Sequence, residues 1–358
     1  MRKCGFDAEV FERAPEIKEV GAGIVLSPNA TRVLKELNAL EEVARRSAVI
    51  SEVISCDSTG QVLSRMRIDA TDVPSLGLHR ADLQQALLQV LPKSCVHPGN
   101  EFISFEQKSG AIFARFASGR IESGDLLVGA DGINSRVRQE VLRDGLPIYR
   151  GYQCWRGVST LTEVQALSET FGCGVRVGLV PLGTRGTAWW CTANEPEQSK
   201  DAPEEVKAKL LRLLHGWHDP IPAIISSTES QSIIKNGMYD RPAVRNWRHG
   251  RATLLGDAAH PTTPNLGQGG CMAIEDAFVL AHCLERSKDV DNALVDYQKL
   301  RFSRTARVTN ISRVYGVIGQ WENGAACRIR NKIFQAMGNS KNAAKQYLKF
   351  VNCNPLQA

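Results

Sequence analysis

Gly256 to Ala277 reads GDAAHPTTPNLGQGGCMAIEDA, and the fold follows from how this string begins and ends. A short apolar run, Ala252 to Leu255, leads into it and reads as a buried strand closed by Gly256-Asp257. A loop rich in proline and glycine comes next, and Gly269-Gly270 opens a long segment of helical periodicity. Strand, loop and helix in that order gather a carboxylate, bare backbone amides and the positive end of a helix dipole around one spot. Asp257, at the carboxyl end of the strand, can accept hydrogen bonds from a ligand's hydroxyl groups. The glycines let a planar or anionic ligand approach the backbone closely. The helix N-terminus stabilises negative charge in front of it by about 0.3–1 kcal/mol.

Further strands and helices alternate along the chain, which predicts an α/β fold. Asp125 to Arg138, DLLVGADGINSRVR, repeats the pattern: a buried strand ends at Asp131-Gly132, and a helix with Arg136 and Arg138 follows. Leu78 to Leu91, LHRADLQQALLQVL, predicts a helix over 80–91 that Pro92 stops. Arg80 stands at its start, where the dipole disfavours a cation, so a ligand phosphate is a plausible partner and a surface arginine the plain alternative. Residues 7–12 read as a strand. Ser27-Pro28 reads as a helix start with a hydroxyl N-cap, and Val33, Leu34, Leu37 and Leu40 share one face. Residues 48–67 predict a hairpin turning near Ser58-Thr59-Gly60. From roughly 150 to 250, tryptophans and β-branched residues predict a separate, mainly antiparallel sheet, and helices dominate after Gly269.

Composition excludes several classes. Of 358 residues, 43% are hydrophobic and 23% charged, as in an ordinary globular protein. A net charge of +6 is mild at this length and is no nucleic-acid footprint. No run of about 18 apolar residues predicts a membrane span. The first twenty residues lack an apolar signal core, so a cytoplasmic location is expected. The ten cysteines form no CxxC pair and no metal spacing, which predicts buried, reduced thiols and no metal site.

Taken together, GDAAHPTTPNLGQGGCMAIEDA, DLLVGADGINSRVR, LHRADLQQALLQVL and VFERAPEIKEVGAGIVLSPNA (residues 10–30) resemble the single-component flavoprotein monooxygenases. That group includes aromatic-ring, salicylate-type and urate-type hydroxylases and zeaxanthin epoxidase. The resemblance implies a Rossmann-like FAD-binding domain from 1–47, 79–149 and 250–290. It also implies a substrate domain from 48–78 and 150–249, and C-terminal helices over 291–358. Glu12, beside Arg13, would bind the adenosine ribose of FAD, and Arg80 would lie near its ribityl and phosphate groups. Asp131 would serve both FAD and visiting NAD(P)H, Asp257 would hold the ribityl chain, and Pro264, Leu266, Gly267, Gly269 and Gly270 would face the flavin. Gly21-Ala22-Gly23 resembles the flavin-side loop. The implied chemistry is reduction by NAD(P)H, addition of oxygen to give a hydroperoxide, and attack by an aromatic or polyene substrate. The expected state is a monomer or homodimer.

Two departures qualify that picture. No GxGxxG occurs in the chain, and the spacing to Glu12 implies that about 20 to 30 N-terminal residues of the family pattern are missing. The expected alternatives are a shortened chain of such an enzyme, or a non-catalytic ligand-binding relative with weak FAD binding. Urate-type members carry an acid where this chain has Asn265, and an amide cannot serve as that general base. No catalytic residue is assigned. His260 is expected to shape its loop; Arg156 either meets a substrate anion, gates the flavin or packs; of Trp189 and Trp190 only one faces a pocket. Arg301, Arg304 and Arg307, at helical spacing, predict a solvated face.

Overall fold

The computed structural model describes residues 1–17, 21–338 and 341–356; Lys18, Glu19 and Val20 of the motif at 10–30 lie outside it. Two short parallel pairs carry the candidate ligand loops. Val10–Phe11 pairs with Val96–His97, and Leu127–Gly129 pairs with Ala252–Leu254, which Arg248–His249 extends antiparallel. Each strand before a ligand loop is therefore short and apolar. Ala252 and Leu254 are fully buried, and Gly129 takes the methyl-free position against Val137, where a Cβ would stand 2.6 Å from the valine Cβ. The strand expected over 7–12 is only Val10–Phe11.

The middle of the chain forms the predicted sheet. Its seven strands run in the order Ile234–Asp240, Ile148–Ser159, Thr187–Asn194, Val175–Pro181, Leu167–Phe171, Glu52–Asp57 and Val62–Arg67. All neighbours are antiparallel except Leu167–Phe171 beside Glu52–Asp57. The hairpin turns where expected, but Ala48–Ile50 leaves it and joins Ser75–His79 and Gly23–Leu26 in a smaller sheet.

Alternation gives the large sheet two working faces. Trp155, Val177, Leu179, Trp189 and Cys191 point to one side and pack on helices Val206–Leu213 and Ile221–Ser226. Tyr152, Cys154, Arg156 and Val158, with Ala188, Trp190 and Thr192, point to the other, toward the glycine-rich loops. Trp189 is thus core, its Nε1 donating to Thr228 Oγ1 at 2.8 Å, and Trp190 is the outward one.

Helix Gly269–Arg286 packs along Val290–Gly319. The seam corrects the expected solvated face: Arg301 is wholly buried and Arg304 nearly so, whereas Arg307 is exposed. The reason is charge. Arg301 Nη2 lies 2.5 Å from Glu275 Oε2 and its Nε donates to Asp276 Oδ1 at 2.7 Å, while Arg304 binds the other Glu275 oxygen at 2.8 Å. Two buried carboxylates on one helix demand two cations on the other. No helix among the described residues is long and apolar enough to cross a membrane.

Candidate functional site

Strand Ala252–Leu254 ends in a single tight turn, Gly256–Ala258, that Gly256 makes with a left-handed φ of 60°. The turn aims Asp257 into a cleft. Its carboxylate is open to that cleft on one side and walled by protein on the others, and it accepts no hydrogen bond from any described residue. Crowding by protein pushes its pKa above the ordinary 3.8, against the pull of His260 and Arg80. A carboxylate held out without a donor is one prepared to meet a ligand's donors.

The turn around Asp257 is braced from behind. The wholly buried Asp276 accepts from the Gly256 amide at 2.9 Å and from Arg301, and lies 2.5 Å from His260 Nε2. Burial would raise the Asp276 carboxyl, but the facing His260 and Arg301 outweigh it and hold it well below the usual carboxylate range. His260 therefore fixes its loop, as expected. Arg138 adds a second brace, donating from Nη1 to the carbonyls of Ala258 and Ala259 at 2.8 and 2.7 Å.

Across the cleft, Gly23–Leu26 pairs with Ser75–His79, and the Arg80 amide donates to the Ala22 carbonyl at 3.2 Å. A Cβ on Gly21 would lie 3.0 Å from Arg80 Cδ, so loop and arginine touch. Helix Arg80–Gln89 begins at this arginine, placed by the strand that precedes it. The floor is helix Gly269–Arg286, whose first amides have no intrahelical acceptor and no side-chain cap. A methyl carbon on Gly269 would stand 3.8 Å from Asp257 Oδ1, and one on Gly270 would stand 2.9 Å from Ile24 Cδ1. Gly21, Arg80, Asp257, Gly269 and Gly270 thus surround one cleft. Pro264–Leu266 is a single helical turn on its rim, ended by Gly267 with a left-handed φ of 63°.

Two other expected residues make their contacts elsewhere. Glu12 follows its strand, accepts from the Ala14 amide at 2.8 Å and has the exposed Arg13 beside it. Asp131 is exposed and caps helix Arg136–Leu142, accepting from the amides of Arg136 and Val137 at 2.8 and 3.2 Å. Ser27 holds the expected N-cap position, yet its hydroxyl caps nothing: it accepts from Gln268 Nε2 at 3.0 Å. Asn29 joins the same buried chain, donating to Gln268 Oε1 at 3.1 Å and to Glu275. These contacts fasten helix Pro28–Glu36 to the start of helix Gly269–Arg286, and with it the cleft floor.

On the sheet side, sequence reasoning missed a buried polar network. Arg176 donates to Gln320 Oε1 at 2.9 Å, Glu169 Oε1 at 3.0 Å and Asn265 Oδ1 at 2.8 Å. Asn265 in turn donates to Tyr152 Oη at 3.0 Å and to the Ser312 carbonyl at 2.8 Å. Helix Val290–Gly319 reaches this network only because Gly316 and Gly319 have no side chains. A Cβ at Gly316 would stand 2.6 Å from Asn265 Nδ2. Gly316→Ala is expected to cost about 1–3 kcal/mol in denaturant unfolding; unchanged stability would contradict the packing.

Beside the network a pocket of about 220 Å³ is lined by Tyr149, Arg150, Tyr152, Thr263, Arg313 and Val317. Both arginines are committed to the buried Asp240, Arg150 from Nε at 2.6 Å and Arg313 from Nε at 3.0 Å.

Glycines, an unpartnered carboxylate, an arginine and a helix N-terminus around one cleft suit a planar, anionic ligand, and comparison with known proteins supplies its class. The family model described as FAD binding domain matches residues 2–311. The chain belongs to that family, and with its relatives to the flavin-dependent monooxygenases of the aromatic-hydroxylase type. It is 39% identical to aurachin C monooxygenase/isomerase of Stigmatella aurantiaca, over 95% of this chain and 91% of that one. It is 33% identical to 3-amino-4-hydroxybenzoate 2-monooxygenase of Streptomyces cremeus, over 97% and 90%. Klebsiella pneumoniae HpxO, solved with FAD and uric acid, superposes with a TM-score of 0.92 at 25% identity, covering 99% of this chain and 93% of that one.

Proposed function

We propose that the chain takes electrons from NAD(P)H through FAD and places one oxygen atom of dioxygen on an aromatic ring or a carbon–carbon double bond. The observation that carries this reading is the convergence of Gly21, Arg80, Asp257 and the Gly269 helix start on one cleft that the large sheet faces. In it, Asp257 accepts from the ribityl hydroxyls, and Arg80 donates to the cofactor beside them. The backbone of Leu266 to Gly270 meets the pyrimidine end, with the helix dipole favouring negative charge there. Glu12, with Arg13, takes the adenosine ribose, and Asp131 acts by fixing the turn it caps. The cofactor region is thereby assembled from 1–47, 79–149 and 250–290, and the substrate region from 48–78 and 150–249.

Bound FAD supplies the electron transfer and oxygen activation. The chain's own residues orient the ring, exclude water through the sheet and helix Val290–Gly319, and keep the Asp257 turn rigid. Asn265 has no acidic proton to exchange and donates to fixed neighbours, so it positions rather than acts as a base. The curated relatives, both monooxygenases matched over nearly their whole length, support an enzyme over a ligand-binding relative. The test is aerobic oxidation of NADH or NADPH by the FAD-loaded chain across a panel of phenols, hydroxyquinolines and alkenes. Oxidation accelerated by one class, with an oxygenated product, is the expected result; no acceleration and no product across the panel would contradict it.

A further inference from the structure

The register of the large sheet shows which residues stand over the flavin cleft. Ala188 touches the flavin-side loop: its Cβ lies 2.4 Å from where a Cβ on Gly23 would be. Four residues along the same strand and opposite it on the next, Thr192 and Arg176 belong to the network that holds Asn265 on the opposite rim. Between these two contacts lies one row of side chains, about 7 Å from each by strand geometry. That row is Arg156, Trp190 and Gly178, aligned across three strands.

Each member of the row is unusual. Arg156 is half-buried and among the described residues has no carboxylate partner; its one polar contact there is with the Met238 sulfur at 3.9 Å. By contrast Arg150, Arg176 and Arg313, near the same face, are paired to buried or half-buried carboxylates. Trp190 lies flat across Gly178, where a Cβ would come within 1.8 Å of the indole, so the glycine exists to let the ring lie down. The Trp190 indole N–H has no acceptor among the described residues. Cys154, Met238 and Tyr152 complete a soft, mainly apolar surround. An uncompensated guanidinium beside a flat aromatic plate needs a partner that offers both a ring and an acceptor.

We propose that Arg156 and Trp190 form the substrate-reading wall, and that the substrate is a planar aromatic carrying an anionic or strongly polarised oxygen. Arg156 donates to that oxygen, and Trp190 stacks on the ring. This rests on the proposed function, because it places the substrate between that row and the flavin. It narrows the substrate to hydroxylated or oxo aromatics and disfavours plain alkenes.

The test titrates the FAD-loaded chain with 4-hydroxyquinoline and 4-hydroxybenzoate, and with quinoline as the oxygen-free control, following the flavin absorbance. The wild-type chain is expected to bind at least one oxygenated probe about tenfold or more tightly than quinoline. Arg156→Gln should erase that preference, weakening the oxygenated probe roughly 10- to 100-fold with flavin content unchanged. Arg156→Lys should restore part of it, and Trp190→Ala should weaken all three probes together. Arg156→Gln binding the oxygenated probes as wild type does, or wild type preferring neither over quinoline, would overturn the inference. A wild-type chain that takes up no FAD at all would fell the proposed function and this inference with it, and the absorbance of the unliganded chain separates that case from the others.

Discussion

Asp276→Ala is expected to destabilise the chain by about 3–5 kcal/mol, enough to lower the midpoint of thermal unfolding by roughly 4–7 °C. Asp276 is wholly buried and receives the Gly256 amide, His260 and Arg301. Removing it strands a buried guanidinium with Glu275 alone and frees the turn that carries Asp257. Asp276→Asn preserves the shape but not the charge, and should cost nearly as much, because an amide must point donors at the donors it meets. The pH dependence has a definite sign. The folded-state pKa is depressed below the ordinary 3.8, so the stabilisation is complete above that value and is lost as pH falls through the lower folded value. The gap between wild type and Asp276→Asn should therefore not close anywhere from neutral pH to about 4 and should shrink below it. Chemical denaturation at several pH values checks both statements; a gap that closes between pH 7 and 5 would contradict the assignment.

Asp257→Ala is expected to leave the fold intact and weaken FAD binding about 100-fold or more. Asp257 supports no described hydrogen bond, so its loss costs the empty chain little, and by relieving a crowded charge it can even add stability. The proposed bonds from the ribityl hydroxyls would be forfeited, and charge-assisted hydrogen bonds are worth about 1.5–3 kcal/mol each. Because the Asp257 pKa is raised, the carboxylate needed for those bonds begins to disappear above the ordinary 3.8. FAD affinity should accordingly weaken as pH falls through that raised value, and Asp257→Asn should show no such dependence. Titration of FAD by calorimetry across pH, with unfolding of each variant in parallel, separates a binding defect from a folding defect.

What the sequence made legible, and what it hid, divides by range. Ala252–Leu254 was readable because a buried strand is a short apolar run, and Asp257 and Gly269 because a turn and a helix start are made by neighbours in the chain. Arg80 at its helix start was readable as an oddity for the same reason. Arg301 and Arg304 were misread as a solvated face, since helical spacing says nothing of Glu275 and Asp276 on the facing helix. The Ser27 hydroxyl looked like a cap and instead receives Gln268, a partner supplied only by the folded chain. Arg176 carried no local signal at all. Its partners Glu169, Asn265 and Gln320 come from a neighbouring strand, the glycine-rich loop and a distant helix end. The missing side chain at Gly316 was the nearest thing to a clue, a glycine in a helix interior where it costs about 0.5–1 kcal/mol unless something presses against it.

The most direct test of the account is the fate of oxygen. The chain, saturated with FAD and supplied with NADH or NADPH, would react with hydroxyquinolines and hydroxybenzoates under isotopically heavy dioxygen, and the products would be weighed. The account predicts a product carrying one heavy oxygen atom taken from dioxygen, with reduced nicotinamide consumed in step. Label arriving from water, or nicotinamide consumed with hydrogen peroxide as the sole product on every probe, would contradict it.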